Sequence, residues 1–183
     1  MSDSGSAASE VSNTELAAEV IALARQAGVR IGVAESLTGG MVASTLVSVP
    51  GASKVFLGGV VAYANSAKAG LLGVPSEVLD TLGAVSAETA EAMAQGIRNG
   101  LSIDGQPSPD SLLTVSTTGV AGPDTQDGQP VGTVFVGLAT STGATAQETH
   151  FSGDRQSIRI QATRFALSIV RDEIQRHLGL NTV

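Results

Sequence analysis

The sequence predicts an α/β layered domain built on a mixed β-sheet. Short apolar runs alternate with stretches of helical periodicity along most of the 183 residues, a pattern typical of helices packed against strands. Near the C-terminal end, two strand-like runs lie on either side of Ser141-Thr142-Gly143, which indicates a hairpin and therefore antiparallel pairing. Together these observations predict parallel and antiparallel strands in one sheet.

The chain is predicted to begin with a disordered tail over residues 1–13, which are rich in Ser, Ala, Gly, Asp and Glu. Residues 14–183 are predicted to form a single domain. Thr14 is the predicted N-cap of a first helix that carries its apolar residues on one side and ends at Gly28.

The remaining elements are predicted from short apolar runs for strands, and from periodicity or a capping residue for helices. Ser86 and Asp154 are the predicted caps of the two longer helices. The predicted order is strand 29–34, helix 41–47, strand 54–63 with a bend at Gly58-Gly59, helix 65–72, a short helix from 76, helix 86–99, strand 112–117, strands 131–140 and 145–151, and helix 154–178.

Composition excludes several classes of protein. Hydrophobic residues make up 42% of the chain but aromatic residues only 3%, so the predicted core is aliphatic. The absence of cysteine excludes disulfides, cysteine–zinc sites and thiol catalysis. A net charge of −7 disfavours nonspecific nucleic-acid binding, and no apolar run approaches the length of a membrane span. We expect a cytoplasmic protein with no nucleic-acid or membrane partner.

A polar turn at the end of the first predicted strand carries the main candidate for catalysis. Ser36, Thr38, Gly39 and Gly40 lie between that strand and the following helix. A strand-to-helix turn of this kind can present a nucleophilic serine beside backbone N–H groups that stabilise an oxyanion. The alternative from local sequence alone is a helix cap, with Ser36 or Thr38 as the capping residue.

Candidate general bases are few. Lys68 and Tyr63 follow the second predicted strand, and a lysine can serve as the base for a serine when burial lowers its pKa. The alternative is that Tyr63 packs and Lys68 is a surface charge. His150 is a second possible base, although nothing local positions a carboxylate beside it, and His177 suits a structural role at a helix C-terminus.

A second glycine-rich loop follows the strand predicted at 112–117. Thr118, Gly119 and Gly122 could form a nest of N–H groups that holds phosphate, or could simply connect two strands. Arg155 and Arg159 supply cations near the start of the last helix, where the alternative is an ordinary aspartate cap with exposed arginines.

The joint order of these segments resembles the C-terminal domain family of CinA proteins, of the PncC-type nicotinamide-nucleotide amidohydrolases. The resemblance runs from about Leu16 to Ile174, and the chain has leucine at position 37 where the family pattern often has cysteine. The matching segments are Ala34–Gly40 (AESLTGG), Gly59–Lys68 (GVVAYANSAK), Gly83–Ser86 (GAVS), Thr118–Asp124 (TGVAGPD), Pro130–Val134 (PVGTV) and Phe151–Arg155 (FSGDR).

The resemblance implies a three-layer αβα fold and hydrolysis of the carboxamide of nicotinamide mononucleotide to nicotinate mononucleotide and ammonia. It implies Ser36 as nucleophile and Lys68 as base. Tyr63 would relay a proton or orient the lysine, and the competing role is stacking on the pyridine ring. Three groups of residues are expected to bind the substrate: the turn that holds the oxyanion, a polar residue after Tyr63, and a loop and two arginines that hold phosphate or ribose. These residues are Thr38, Gly39, Gly40, Asn65, Thr118, Gly119, Gly122, Arg155 and Arg159.

The resemblance also implies self-association, with a dimer favoured, and no cofactor; no metal site is predicted from the residue spacing. Two alternatives for function stay open. The same serine could serve an amidase or esterase that acts on another substrate. The chain could instead be a non-enzymatic binding module linked to competence or DNA damage.

Overall fold

A five-stranded sheet forms the middle layer of the protein. The computed structural model describes residues 12–102 and 107–180. Its main helices and strands are α1 Asn13–Ala27, β1 Arg30–Glu35, α2 Met41–Val47, β2 Phe56–Val61, α3 Asn65–Leu72, α4 Ser76–Thr81, α5 Ala87–Leu101, β3 Leu112–Gly119, β4 Thr133–Thr140, β5 Gly143–His150 and α6 Arg155–His177.

The strand order is β2-β1-β3-β4-β5, and the sheet is mixed as predicted. β1 pairs in parallel with both β2 and β3, whereas β3, β4 and β5 pair antiparallel. β3 and β4 are buried along nearly their whole length because helices cover both of their faces. β5 has a mostly exposed pattern and forms one edge of the sheet.

Alternate side chains of β3 contact different helical layers, which confirms the three-layer αβα fold. Leu113 and Val115 lie in one apolar cluster with residues of α1, α2 and α6. Thr114 and Ser116 point to the opposite face and donate hydrogen bonds to backbone carbonyls of α5. This period-two alternation places α5 on one side of the sheet and α1, α2 and α6 on the other.

The first helix begins earlier than predicted. Ser12, not Thr14, is the N-cap: Ser12 and Glu15 form a reciprocal capping box, with Ser12 Oγ accepting the Glu15 N–H at 3.2 Å. A serine followed three residues later by glutamate satisfies two backbone donors at once, which explains the earlier start. Asn13 is therefore helical, and the rest of the predicted tail lies outside the described residues.

The carboxyl ends of three parallel strands meet at one edge of the sheet. Glu35, the last residue of β1, pairs with Val61 of β2 and with Thr117 of β3. In open α/β sheets this end of the strands is where ligands bind. In the described part of the chain, no helix is long and apolar enough to cross a membrane.

Candidate active site

Ser36 lies directly after β1, in the turn that leads to α2. Its backbone N–H donates to the Thr117 carbonyl at 2.9 Å, which extends the pairing with β3 by one residue. The side chain is 6% exposed and lines a cleft of about 130 Å³. Within the described residues, Ser36 Oγ has no hydrogen-bond partner, and the oxygen is not completely shielded from solvent. The hydroxyl is therefore available to a molecule in the cleft.

Glu35 holds this turn in shape through a carboxylate that is 1% exposed. One oxygen accepts the Gly40 N–H at 2.8 Å and the Val42 N–H at 3.1 Å, and the other accepts the Ala43 N–H at 2.8 Å. Glu35 also accepts the hydroxyl of Thr38 at 2.7 Å. A buried acidic side chain thus caps α2 from the preceding strand, where the alternative interpretation of the sequence expected Ser36 or Thr38 as the cap.

The Glu35 cap uses a donor that was expected at the oxyanion site. The Gly40 N–H donates to Glu35, and the Gly39 N–H donates to the Ser36 carbonyl at 3.0 Å. Thr38 is fully buried, with its hydroxyl 2.7 Å from that of Thr117. These groups serve the turn itself and do not line the cleft.

Arg159 of α6, which was expected to bind phosphate, supports the turn and is not part of the cleft lining. Its Nε donates to the Leu37 carbonyl at 2.9 Å, and a terminal nitrogen donates to the Thr38 carbonyl at 2.8 Å. A third nitrogen donates to the Gln156 side chain at 3.1 Å. The hydrogen bonds to Leu37 and Thr38 connect α6 to the strand-to-helix turn.

Lys68 is a buried lysine, only 1% exposed, on α3. Its Nζ donates to the Tyr63 carbonyl at 2.9 Å. Burial lowers the pKa of Lys68 below the ordinary value, and the negative charge of Asp127 opposes that shift. Lys68 is therefore not the surface charge that the alternative interpretation expected. Lys54 is exposed, as predicted.

Tyr63 and Arg155 form a bridge at the mouth of the cleft. Tyr63 is 60% exposed, so it does not pack in the core. A terminal nitrogen of Arg155 donates to the Tyr63 hydroxyl at 2.9 Å, and the other donates to the Gly122 carbonyl at 2.6 Å. Arg155 thereby joins the segment after β2 to the glycine-rich loop after β3.

The cleft brings together six of the predicted residues from four separate segments. Asn65 is exposed and, like Lys68, is absent from the cleft lining. His150, the alternative base, is exposed at the end of β5 and also lies outside the lining. The predicted residues that line the cleft are Ser36, Tyr63, Thr118, Gly119, Gly122 and Arg155.

Sequence reasoning missed one wall of the cleft and the group that supports it. Ala84 and Val85 line the cleft, and the Ala84 carbonyl accepts the Thr118 hydroxyl at 2.6 Å. The Ala84 N–H donates to the carboxylate of Asp127 at 2.8 Å. The matched segment Gly83–Ser86 and the Asp127-Gly128 turn signal were both visible in the sequence, but neither indicated that they meet.

Comparison with known proteins gives consistent results. The family model of the CinA C-terminal domain matches residues 13–174. A CinA-like protein of Frankia casuarinae is 44% identical over 152 residues, which are 83% of this chain and 33% of that protein. The chain thus spans about a third of the length of this relative.

Solved structures extend the likeness to the fold. A CinA superfamily protein of Klebsiella pneumoniae has a TM-score of 0.82 at 29% identity, covering 90% of this chain and 98% of that chain. A competence/damage inducible protein of Agrobacterium tumefaciens has a TM-score of 0.78 at 33% identity, covering 93% and 96%. These proteins correspond to nearly the whole of the present chain.

Proposed function

The chain belongs to the CinA C-terminal domain family, and from this premise we propose that it is an amidohydrolase acting on nicotinamide mononucleotide. The products are nicotinate mononucleotide and ammonia. The observation that carries the proposal is an unpartnered serine hydroxyl in a cleft, with a buried lysine bonded to the backbone of a neighbouring lining residue. Serine-dependent amide hydrolysis requires a nucleophile and a base that is neutral at working pH, and these two side chains supply one candidate for each role.

In the proposed reaction, Ser36 Oγ attacks the carboxamide carbon and its proton passes to neutral Lys68. The protonated lysine then donates a proton to the departing nitrogen, the C–N bond breaks, and ammonia leaves. Water hydrolyses the resulting ester of Ser36. Lys68 Nζ is bonded to the Tyr63 carbonyl in the free protein, so the transfer needs a bridging water or a change in the lysine rotamer. Catalytic contacts commonly tighten only when substrate binds.

The oxyanion donor that we propose is the backbone N–H of Leu37. Leu37 lines the cleft beside Ser36, and its N–H donates to none of the described residues. The N–H of the residue after a nucleophile is a recurrent oxyanion donor at strand-to-helix turns. It replaces the Gly39 and Gly40 donors, which the turn uses internally.

Arg155 and the loop Thr118–Gly122 are proposed to hold the phosphate and ribose. Arg155 is the one cationic side chain in the described lining of the cleft. The net charge of −7 opposes the approach of an anion, so a local cation has to supply the attraction. Tyr63, bonded to Arg155, is left to orient the lysine or to contact the pyridine ring.

Ammonia release from nicotinamide mononucleotide by the purified protein tests the proposal. Nicotinamide, simple amides and simple esters are run beside it. Preference for the nucleotide supports the proposal, whereas faster turnover of another amide or ester identifies a different hydrolase. No turnover of any substrate favours a non-enzymatic binding module.

Self-association and a cytoplasmic location complete the proposal. β2 is an edge strand with no charged residue or proline, and its Leu57 and Val61 are 40% and 50% exposed. Such edges pair readily with another strand, and a second copy of the chain offers one. Light scattering after size-exclusion chromatography should give the mass of a dimer, and Val61→Lys should convert it to a monomer. A monomeric wild-type protein would refute this part.

A further inference from the structure

Two polar side chains that line the cleft have no part in the proposed reaction. Asp124 and Gln126, in the loop between β3 and β4, belong to the lining, whereas Thr125 between them does not. This alternation is typical of an extended segment, in which successive side chains point to opposite sides. Within the described residues, neither the Asp124 nor the Gln126 side chain has a hydrogen-bond partner. Both are therefore available to a molecule in the cleft.

The segment 122–127, which carries these two side chains, is held at both ends. At one end, Arg155 donates to the Gly122 carbonyl at 2.6 Å. At the other end, the Asp127 carboxylate accepts the Ala84 N–H at 2.8 Å. A Cβ atom at Gly83 would lie 2.7 Å from the Cβ of Asp127, so this close approach depends on glycine. The polar side chains between the two contacts thus belong to a fixed part of the cleft.

A tight turn also fixes the backbone beside Gln126. Gln126 and Gln129 exchange backbone hydrogen bonds of 3.2 and 2.8 Å, which closes a two-residue turn on Asp127 and Gly128. Both turn residues have positive φ, 51° and 76°, as a type I′ turn requires. The turn limits the directions in which the Gln126 side chain can point.

The chemistry of Asp124 and Gln126 suits one part of the proposed substrate. Asp124 is the one acidic residue in the described lining of the cleft, and a carboxylate accepts hydrogen bonds but donates none. It repels a phosphate and favours hydroxyl donors, as the acidic residue of a dinucleotide site does when it binds ribose. The amide of Gln126 both donates and accepts, so it can bond to a hydroxyl group as well.

The position of Asp124 in the loop favours the ribose over the carboxamide. Arg155, the proposed phosphate ligand, is bonded to Gly122, and the two residues of chain from Gly122 to Asp124 span at most about 7 Å. In a nucleotide the ribose is joined directly to the phosphate, whereas the carboxamide has to reach Ser36. The ribose is therefore the part of the substrate that lies within reach of Asp124.

We propose that Asp124 and Gln126 bind the 2′- and 3′-hydroxyls of the substrate ribose and determine the specificity for a ribonucleotide. The inference rests on the proposed function. The Asp124 carboxylate accepts the hydroxyl protons in short, charge-assisted hydrogen bonds. The Gln126 amide donates to one of the hydroxyl oxygens. An amide that carries the same ring without the ribose diol leaves both side chains unpaired, and it binds less tightly for that reason.

Binding of nicotinate mononucleotide, the proposed product, tests the inference without turnover. Calorimetry compares it with its 2′,3′-dideoxy analogue. The wild type should bind the ribonucleotide about tenfold more tightly than the analogue, as expected for a hydrogen bond to a charged group, and Asp124→Ala should lose most of that preference. Because the preference is a ratio of two affinities, a general effect of the lost charge on the anionic ligands cancels.

Two further variants sharpen the measurement. Asp80→Ala removes the same charge from an exposed position on α4, outside the cleft lining, and should keep the full preference. Gln126→Met should reduce the preference about threefold, the loss expected for a neutral hydrogen bond. Asp124 and Gln126 are exposed, and their side chains are unbonded in the described structure, so both variants should fold like the wild type.

A preference that Asp124→Ala retains in full would overturn the inference. Equal binding of the two ligands by the wild type would overturn it too. If Asp124→Ala weakens both ligands by the same factor, Asp124 acts on the cationic pyridinium ring and not on the diol, which also contradicts the inference. An unchanged preference in Gln126→Met would remove Gln126 from the ribose site.

Ammonia release from nicotinamide mononucleotide separates this inference from the proposed function. Hydrolysis by a protein whose ribose preference does not depend on Asp124 refutes only the ribose contact. A preference that depends on Asp124, in a protein without amidase activity, supports the ribose contact and refutes the proposed reaction. A protein that neither binds nor hydrolyses the nucleotides overturns both.

Discussion

Lys68 Nζ donates to the backbone carbonyl of Tyr63 at 2.9 Å, so the amine of a buried lysine is bonded to the backbone of an exposed aromatic residue. The contact joins the first turn of α3 to the segment that leaves β2. Lys68 is therefore bonded to a residue of the cleft lining but is not part of the lining itself. Two predictions depend on the burial of this lysine.

Lys68→Met should lower the turnover of nicotinamide mononucleotide by roughly 10²–10⁴-fold, the range expected for losing a general base. Lys54→Met should change turnover little, because Lys54 is exposed. Burial lowers the pKa of Lys68, so the neutral base forms, and wild-type turnover rises, as pH increases through that lowered value. Steady-state rates across a pH series check both points. Equal losses from the two variants would remove Lys68 as the base.

Lys68 should also make stability depend on pH. Its pKa is lower in the folded than in the unfolded protein, where the ordinary value is 10.5. Between these two values the unfolded state binds more protons, so the free energy of unfolding rises with pH across that window. At pH values below both pKa values, Lys68 is protonated in the folded protein, and the cost of burying its charge lowers the free energy of unfolding by its full amount. Urea unfolding of wild type and Lys68→Met should show a smaller rise in the variant; parallel curves would contradict the prediction.

Ser36→Ala should abolish amide hydrolysis and leave the thermal midpoint within a few degrees of the wild type. The reason is that Ser36 Oγ makes no hydrogen bond within the described structure, so its removal leaves no buried group unpaired. Ammonia release and thermal melting provide the two measurements. Substantial residual turnover would mean that Ser36 only shapes the turn.

Glu35→Ala should destabilise the protein by about 3 kcal/mol or more. The substitution leaves the buried N–H of Val42 and the half-buried N–H groups of Gly40 and Ala43 without their acceptor. A fully buried unsatisfied donor costs roughly 1–3 kcal/mol, and a half-buried one costs less. Denaturant unfolding measures the loss. Glu148→Ala on the exposed strand β5 is the control and should stay within about 0.5 kcal/mol of the wild type. Similar effects of the two changes would show that the cap contributes little.

Arg155 and Arg159 should separate into a binding residue and a structural one. Arg155→Lys should raise KM about tenfold with little change in stability, because lysine cannot reproduce the paired contacts of a guanidinium with phosphate. Arg159→Met should lower the free energy of unfolding by roughly 1–3 kcal/mol, since the Leu37 and Thr38 carbonyls lose their donors. Kinetics and urea unfolding of both variants test the division, and the reverse pattern would exchange the two assignments.

The sequence was most informative where structure depends on neighbouring residues. Helices 41–47 and 65–72 and the caps Ser86 and Asp154 are as predicted, because periodicity and capping are local properties. The bend expected at Gly58-Gly59 corresponds to a break in register between β1 and β2. Such features follow from residues that are close in the chain.

Contacts between distant segments could not be anticipated in the same way. Arg159 lies 121 positions after Thr38, and Asp127 lies 43 positions after Ala84, so only the assembled fold pairs them. Glu35 is close to its partners in sequence, but a carboxylate at the end of a strand gives no signal of a helix cap. Its role depends on the turn folding back over the strand.

An inhibitor of this protein has to gain its affinity away from the N-terminus of α2. The Glu35 carboxylate already occupies that position, so sulfonate or carboxylate fragments should collect at Arg155, the cationic residue in the described lining of the cleft. An electrophile that captures the Ser36 hydroxyl, such as a boronic acid, could be joined to an anionic group reaching Arg155. Such a molecule would place its negative charge at Arg155 and away from the Glu35 carboxylate.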